Sequence, residues 1–287
     1  MNRRNRKMKK LIPPTIRTVF MLLIAGVLLF PFFVLVTRSF MTWQEAISIP
    51  TPVFPEALNW GSYVEAVAGE FFIYLKNTLI VLVFNVLGVT FSAYFVAYGF
   101  AKTEFFGKNI IFAIALATMM LPGIVTQLSL YVIYHKIGWL NTLFPMIIPP
   151  LFGGGMINIF LIRQYLMTIP KSYTEAAKVD GAKSFQICTR IIMPMAKPVM
   201  MLTAVNTFMA CWNDFTTPLM YIDSTRTDKF TLAVGIFNRF RGAVTYREQA
   251  PNEQMALCVL LMIPSLILFA FFQKTLIEGV TLNGVKA

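Results

Sequence analysis

Acidic side chains are scarce in this sequence, with 13 Asp and Glu in 287 residues against 25 Lys and Arg, and there are only one histidine and three cysteines. Those shortages exclude several chemistries. A metal centre needs clustered ligands, and the single His135 stands beside Lys136 and near Trp139, where a headgroup contact suits it better. Cys188, Cys211 and Cys258 are far apart with no C-x-x-C pair, which argues against a disulfide. No Gly-rich phosphate cradle of the P-loop type is present, so ATP, if it is used, must be hydrolysed by another chain. The paired catalytic groups that a membrane-embedded enzyme requires are not evident either.

What the sequence has is apolar length. Apolar residues make up 57% of the chain and charged ones 13%, too oily for an ordinary soluble domain. A bilayer crossing takes about 20 residues at roughly 1.5 Å each. The first uncharged run, Thr18 to Thr37, follows a basic segment, residues 1–17, and is longer than the apolar core of a cleaved signal peptide. It reads as a retained span. Five more are expected, with cores near Leu79–Gly99, Asn109–Tyr131, Leu143–Ile162, Val199–Met220 and Met255–Phe272. The expected fold is therefore all-α, a polytopic membrane protein of six helices filling 18–274, with a short tail at 275–287. Six spans put both termini on one side. On that arrangement 17 of the 25 Lys and Arg fall on the cytoplasmic side, while most acids fall outside. The net charge of +12 is then mainly the positive-inside signal of a plasma-membrane protein and not a nucleic-acid surface.

Prolines 31, 122, 145, 149, 150, 218 and 264 lie in or at the edges of the spans, where each removes a backbone hydrogen bond and kinks the helix. Bent helices suit a gated pathway, although static packing explains any one of them as well. Gly153, Gly154 and Gly155 point to a close helix contact more than to a hinge.

Between the fourth and fifth spans lies a polar stretch, 170–198, containing SYTEAAKVDGAKSFQICTRIIMPMAKP. Ser172 stands three residues before Glu175, the spacing of a capping box, and Pro170 ends the preceding helix. Ala176, Ala177 and Val179 are expected to give one face with little bulk, and Gly181 to end the helix in the left-handed conformation. Phe185, Cys188, Ile191 and Ile192 then recur at helical spacing until Pro194 and Pro198. The pattern of Glu175, Ala176, Ala177, Asp180, Gly181, Ala182, Ile191 and Pro194 resembles the cytoplasmic loop of bacterial ABC importer permeases, with Met193 standing where Leu is usual. The resemblance implies the type I importer fold and a coupling helix, within Ser172–Pro194, that docks into a cleft on a separate ATPase. Small side chains let such a groove approach the backbone closely.

Three further features bear on transport. Asp214 is an acid inside an apolar run, an expensive placement that requires a protein or water neighbour. With Asn206 and Asn213 it is expected either to line a pathway or to hold the bundle by an interhelical hydrogen bond. The surrounding CWNDFTTPLM resembles the W-N-x-F segment of sugar-importer permeases. The outer segment 223–253 is long for a connection without structure of its own. In the maltose-type permeases that this chain resembles, the matching loop reaches into the extracytoplasmic sugar-binding protein, which assigns that contact to Phe237, Arg239, Phe240, Arg241, Tyr246 and Arg247. Their basic cluster raises the expectation of an acidic sugar such as a uronate oligomer.

The resemblance, completed by the ending Gly284-Val285-Lys286-Ala287, implies these partners: a second homologous permease, an ATPase dimer carrying ATP and Mg, and a sugar-binding protein. This chain itself is expected to bind no cofactor and to perform no catalysis. Within the class that the resemblance implies, the alternative is a permease for another solute such as a polyamine or glycerol phosphate; a secondary transporter would show inverted repeats that are not apparent here.

Overall fold

The computed structural model describes residues 14–241 and 250–284. Its principal helices are α1 (Pro14–Ser39), α2 (Phe71–Lys102), α3 (Lys108–Ala117), α4 (Gly123–Lys136), α5 (Met156–Thr168), α6 (Ser172–Val179), α7 (Lys197–Trp212), α8 (Leu232–Phe240) and α9 (Pro251–Gly284). Among the described residues, four helical stretches are long and apolar enough to cross a membrane, or up to six if each of two bent pairs counts as one span. The described residues divide into two compact units, 14–68 with 250–263 and 69–241 with 264–284.

In the first unit α1 is apolar on every side and its membrane-length window has no buried residue, the pattern of a helix whose solvent is lipid. After it the chain folds into two short helical turns. Thr42 and Glu45 close a capping box on Trp43–Ile47, and Glu45 also accepts the backbone N–H of Glu56 at 2.7 Å. These bonds hold the Glu45 carboxyl below the usual range, with the Glu56 N–H the largest cause. Ser62 donates to the Met41 carbonyl at 3.2 Å and accepts from the Asn252 amide of α9 at 2.9 Å.

The second unit is organised on α2, a helix of 32 residues that packs along both α5 and α7. Of the three other membrane-length stretches, two carry an interior proline and one is broken. Pro31 lies inside α1 and Pro264 inside α9, and Gly153, Gly154 and Gly155, all with positive φ, break the Phe144–Thr168 stretch. The two bent pairs turn by 99° at Leu121–Pro122 and by 75° at Ala196. The 99° break falls at Pro122 and the glycine break at 153–155, while the bend at Ala196 lies between Pro194 and Pro198.

The glycine break is a close contact, as expected. A Cβ on Gly154 would stand 2.0 Å from Val89 Cγ1 of α2, and one on Gly88 would stand 2.0 Å from Leu151 Cδ2. The Gly153 N–H donates to Ser92 Oγ at 3.1 Å, and Asn85 of α2 donates to the Met146 carbonyl at 2.9 Å. Side chains of α2 thus satisfy backbone groups that the broken helix leaves open, as unwound backbone at membrane depth requires.

Two boundaries differ from the sequence expectation. The expected span Val199–Met220 ends at Trp212; residues 213–215 are not helical, and a separate turn, Thr216–Tyr221, follows. The tail expected from 275 continues α9 as helix to Gly284. The residues beyond it, and 1–13, lie outside the described set.

Candidate functional site

The polar stretch after α5 forms a knob whose two ends are tied to the second unit. Ile169, the residue before Pro170, is extended with φ −74° and ψ 122°, as the proline ring demands. Its carbonyl accepts Lys102 Nζ at 2.7 Å. Lys171 then begins α6 with helical dihedrals, and its carbonyl accepts both the Thr174 and the Glu175 N–H. The expected Ser172–Glu175 capping box is therefore absent. With Lys171 at the cap position, Ser172 sits inside the first turn and no side chain caps α6.

The other end of α6 forms as expected. Gly181 has φ +79°, its N–H donates to the Lys178 carbonyl at 3.0 Å, and the Ala182 N–H reaches back to the Ala177 carbonyl at 2.9 Å. This pair of bonds is the Schellman closure. Since a Cβ on Gly181 would meet nothing within 4 Å, the glycine is needed for its φ alone. Gly181→Ala is expected to cost about 1–2 kcal/mol locally, read as at least a fivefold rise in amide exchange at 181 and 182 with membrane insertion unchanged.

Ala176, Ala177 and Val179 do not share a face, because successive helical residues turn by about 100°. Ala177 is buried with Tyr94, Ala97, Ile162, Leu166, Ile187, Cys188 and Ile192, and Ala182 and Ile191 pack against the same cluster. The opposite side of α6 carries Ser172, Glu175, Ala176 and Val179, all exposed, with Val179 88% exposed. Asp180, at the C-cap, and Pro194 are exposed as well. Alanine at 177 thus lets α6 lie close to its own spans, while the free face is a small apolar and acidic surface. Val179, read from the sequence as part of a low-bulk face, is instead the most exposed large apolar side chain of α6.

Downstream, 184–195 is helical and continues through Pro194, so that proline does not stop the helix. It instead coincides with a π turn, Ile187–Ile192, in which the Met193 N–H bonds five residues back to the Cys188 carbonyl. Proline cannot supply the next N–H, and a wider turn relieves the ring's clash with the preceding carbonyls. The Cys188 carbonyl also accepts the hydroxyl of fully buried Tyr94 at 2.7 Å. All three cysteines carry free thiols.

The polar residues of the fifth span are not gathered into one site. Asn206 of α7 and Asn213 at its C-cap are exposed, and Asn213 donates to the Met209 carbonyl at 2.8 Å. Asp214 stands in the break after α7, and its Oδ1 accepts the Thr217 N–H at 3.0 Å. It caps the next helical turn, a bond foreseen by neither the pathway nor the interhelical expectation.

The segment after Ile222 is structured, contrary to the expectation of a bare loop. It holds a 3-10 turn, Thr227–Lys229, and α8. Asp228 binds Arg226 at 3.0 Å and Lys229 at 3.3 Å; chiefly the Arg226 bond holds its carboxyl low. Phe237 is 47% exposed with its ring edge-on to Phe215, and the Arg239 guanidinium lies 5.6 Å from the Phe240 ring. Exposed Arg241 joins Phe237, Asn238, Leu219 and Val234 around a cavity of about 110 Å³. Tyr246 and Arg247 lie outside the described residues.

Helices of membrane length, with a short polar helix between two of them that is closed at its C-terminal end, are the architecture of a polytopic membrane protein. The chain belongs to the family described as the binding-protein-dependent transport system inner membrane component, whose pattern matches residues 88–281. It is 30% identical over 276 residues to the arabinooligosaccharides transport system permease protein AraQ of Halalkalibacterium halodurans, covering 94% of this chain and 95% of that one. The trehalose/maltose transport system permease protein MalG of Thermococcus litoralis is 27% identical over 268 residues, 92% of this chain and 94% of that one. In fold the chain matches the crystal structure of a bacterial ABC transporter involved in the import of the acidic polysaccharide alginate, with TM-score 0.81 and 21% identity over 96% of this chain and 98% of that one. The chain is thus an ABC importer permease of the inner membrane. It is not an enzyme, and ATP hydrolysis belongs to a separate subunit of a system that also includes a binding protein.

Proposed function

We propose that this chain forms half of the translocation pathway for a sugar or oligosaccharide, beside a second homologous permease, and that the Ser172–Pro194 knob couples it to an ATPase dimer. The observation that carries the coupling role is the division of α6 into a buried Ala177 side and a free side bearing Glu175, Ala176 and Val179. A knob held rigidly from behind and small in front suits a groove on a partner. The sugar class rests on the names of the relatives, an arabinooligosaccharide and a trehalose/maltose permease among them. ATP and Mg act on the ATPase, and this chain holds no cofactor of its own. Both termini lie in the cytoplasm, a reading supported by the concentration of Lys and Arg on that side.

Alternating access follows. Nucleotide-driven closure of the ATPase dimer moves the knobs, the pathway opens outward, and a binding protein delivers its sugar at the 223–241 surface. A ligand shifts such an equilibrium only by its differential affinity for the two states. Purification of the complex from its native host should bring down an ATPase and a second permease, with a saccharide identified by mass spectrometry. A polyamine or glycerol phosphate in its place would overturn the sugar assignment. Exposed Arg239 and Arg241 favour a uronate-bearing saccharide within that class, and uptake confined to neutral sugars would remove that refinement. Arg241→Glu is expected to weaken binding-protein association about tenfold at low salt, measured by surface plasmon resonance, with a smaller loss at 0.5 M salt.

A further inference from the structure

One helix touches both functional ends of the second unit. Near its start, buried Asn77 of α2 donates through Nδ2 to two carbonyls of the 223–241 segment, those of Asp228 at 3.0 Å and Phe230 at 2.9 Å. Its neighbour Thr78 accepts the Leu232 N–H at 2.7 Å. Gly235 of α8 lies against Tyr74 so closely that a Cβ there would stand 2.2 Å from the ring. Four to seven turns further on, Tyr94 holds the Cys188 carbonyl in the π turn, and Lys102 holds the Ile169 carbonyl at the root of the knob. At about 1.5 Å per residue, Thr78 and Tyr94 stand about 24 Å apart along the axis.

The helix between these contacts is suited to carrying displacement. Among the described residues α2 is the one membrane-length helix with neither an interior proline nor a break, and it is covered by α5 and α7. Every neighbouring span has a place to bend; α2 has none. We infer that α2 is a strut that joins the binding-protein surface at 223–241 to the ATPase-facing knob, with Asn77, Thr78, Tyr94 and Lys102 as positioning residues at its two ends. A bond at one end then has value for coupling only while the bond at the other end is intact, which is a two-site energetic coupling and not a local packing effect. The inference rests on the two surfaces having the partners proposed above.

Thr78→Val removes the acceptor of the Leu232 N–H, and Tyr94→Phe removes the donor to the Cys188 carbonyl together with the acceptor of the Cys188 thiol at 3.8 Å, each with almost no change of shape, so both variants retain the packing on which assembly depends. In the reconstituted importer complex, each is expected to reduce the stimulation of ATP hydrolysis by saturating binding protein about fivefold to tenfold. The yield of assembled complex and the basal hydrolysis without binding protein should be unchanged, which separates positioning from a structural defect. The double variant should lose no more than the worse single one. Unchanged stimulation in both singles, or losses that multiply in the double, would overturn the strut. If Glu175→Lys leaves uptake normal, the docking reading itself has failed. If Glu175→Lys uncouples while Thr78→Val and Tyr94→Phe do not, only the strut has.

Discussion

Reversing the charge at Glu175, by Glu175→Lys, is expected to reduce uptake at least tenfold and to uncouple ATP hydrolysis from the binding protein, while insertion of the chain into the membrane stays normal. Glu175 is exposed on the side of α6 opposite Ala177, so the change does not disturb the buried cluster. It does place a positive charge in the first turn of a helix, three residues before Lys178 and four after Lys171, a local penalty of about 0.5–1 kcal/mol. That is too little to unfold a knob closed by the Gly181 bonds and backed by the core. Across an interface the same reversal costs more, about 2–5 kcal/mol when a hydrogen-bonded charge is desolvated, and tenfold in affinity corresponds to about 1.4 kcal/mol. Transport assays and ATPase assays on the same membranes check it, and normal uptake would count against docking through this face.

Gly154→Ala is expected to abolish most of the correctly folded protein. Gly154 has φ +61°, a conformation that costs a residue with a Cβ about 1–2 kcal/mol. The added atom would also stand 2.0 Å from Val89 Cγ1 and 2.8 Å from both Val89 Cβ and Cγ2, an overlap worth about 1–3 kcal/mol more if the helices part to relieve it. Parting has consequences of its own, since α2 supplies Ser92 and Asn85 to the open backbone of the break. Membrane-extracted yield and thermal unfolding of the purified chain report the loss. Val89→Ala in the same chain should recover part of it, because it removes both Cγ atoms but not the φ penalty. A fully stable Gly154→Ala protein would mean that the break does not pack on Val89.

The parts of this structure legible in the sequence are those governed by local chemistry. Apolar run length located the spans, and the left-handed turn at Gly181, the halt at Pro170 and the close approach at Gly154 all follow from a missing Cβ or a missing N–H. The helix at Ser172–Val179 was legible from spacing, down to its last turn. Its first turn was not: Lys171 competes with Ser172 for the cap position, and a shift of one residue removes the box while leaving the sequence pattern intact. Ala176 and Ala177 look interchangeable in sequence and differ entirely in role, because one turns toward Tyr94 and Ile192 and the other away from them.

Long-range contacts were the least legible. The 223–241 segment reads as a bare loop because Asn77 and Thr78, which satisfy its backbone, lie about 150 positions earlier in the chain. Asp214 was expected either to line a pathway or to bond across the bundle, yet its carboxylate is used three residues away, at the Thr217 N–H. The break after α7, four residues before Pro218, whose missing N–H cannot bond the residue 214 carbonyl, made that local cap available. The bends at Pro122 and between Pro194 and Pro198 show the converse case, in which nearby prolines mark where a span turns but not by how much.

The central claim is that the Glu175–Val179 face meets a nucleotide-driven partner on the cytoplasmic side, and a single cysteine at Val179 tests it most directly. In a chain with Cys188, Cys211 and Cys258 replaced by serine, Val179→Cys should cross-link to the co-purifying ATPase and resist a membrane-impermeant thiol reagent added outside intact cells. Labelling from outside, or cross-links that never include an ATPase, would contradict the account.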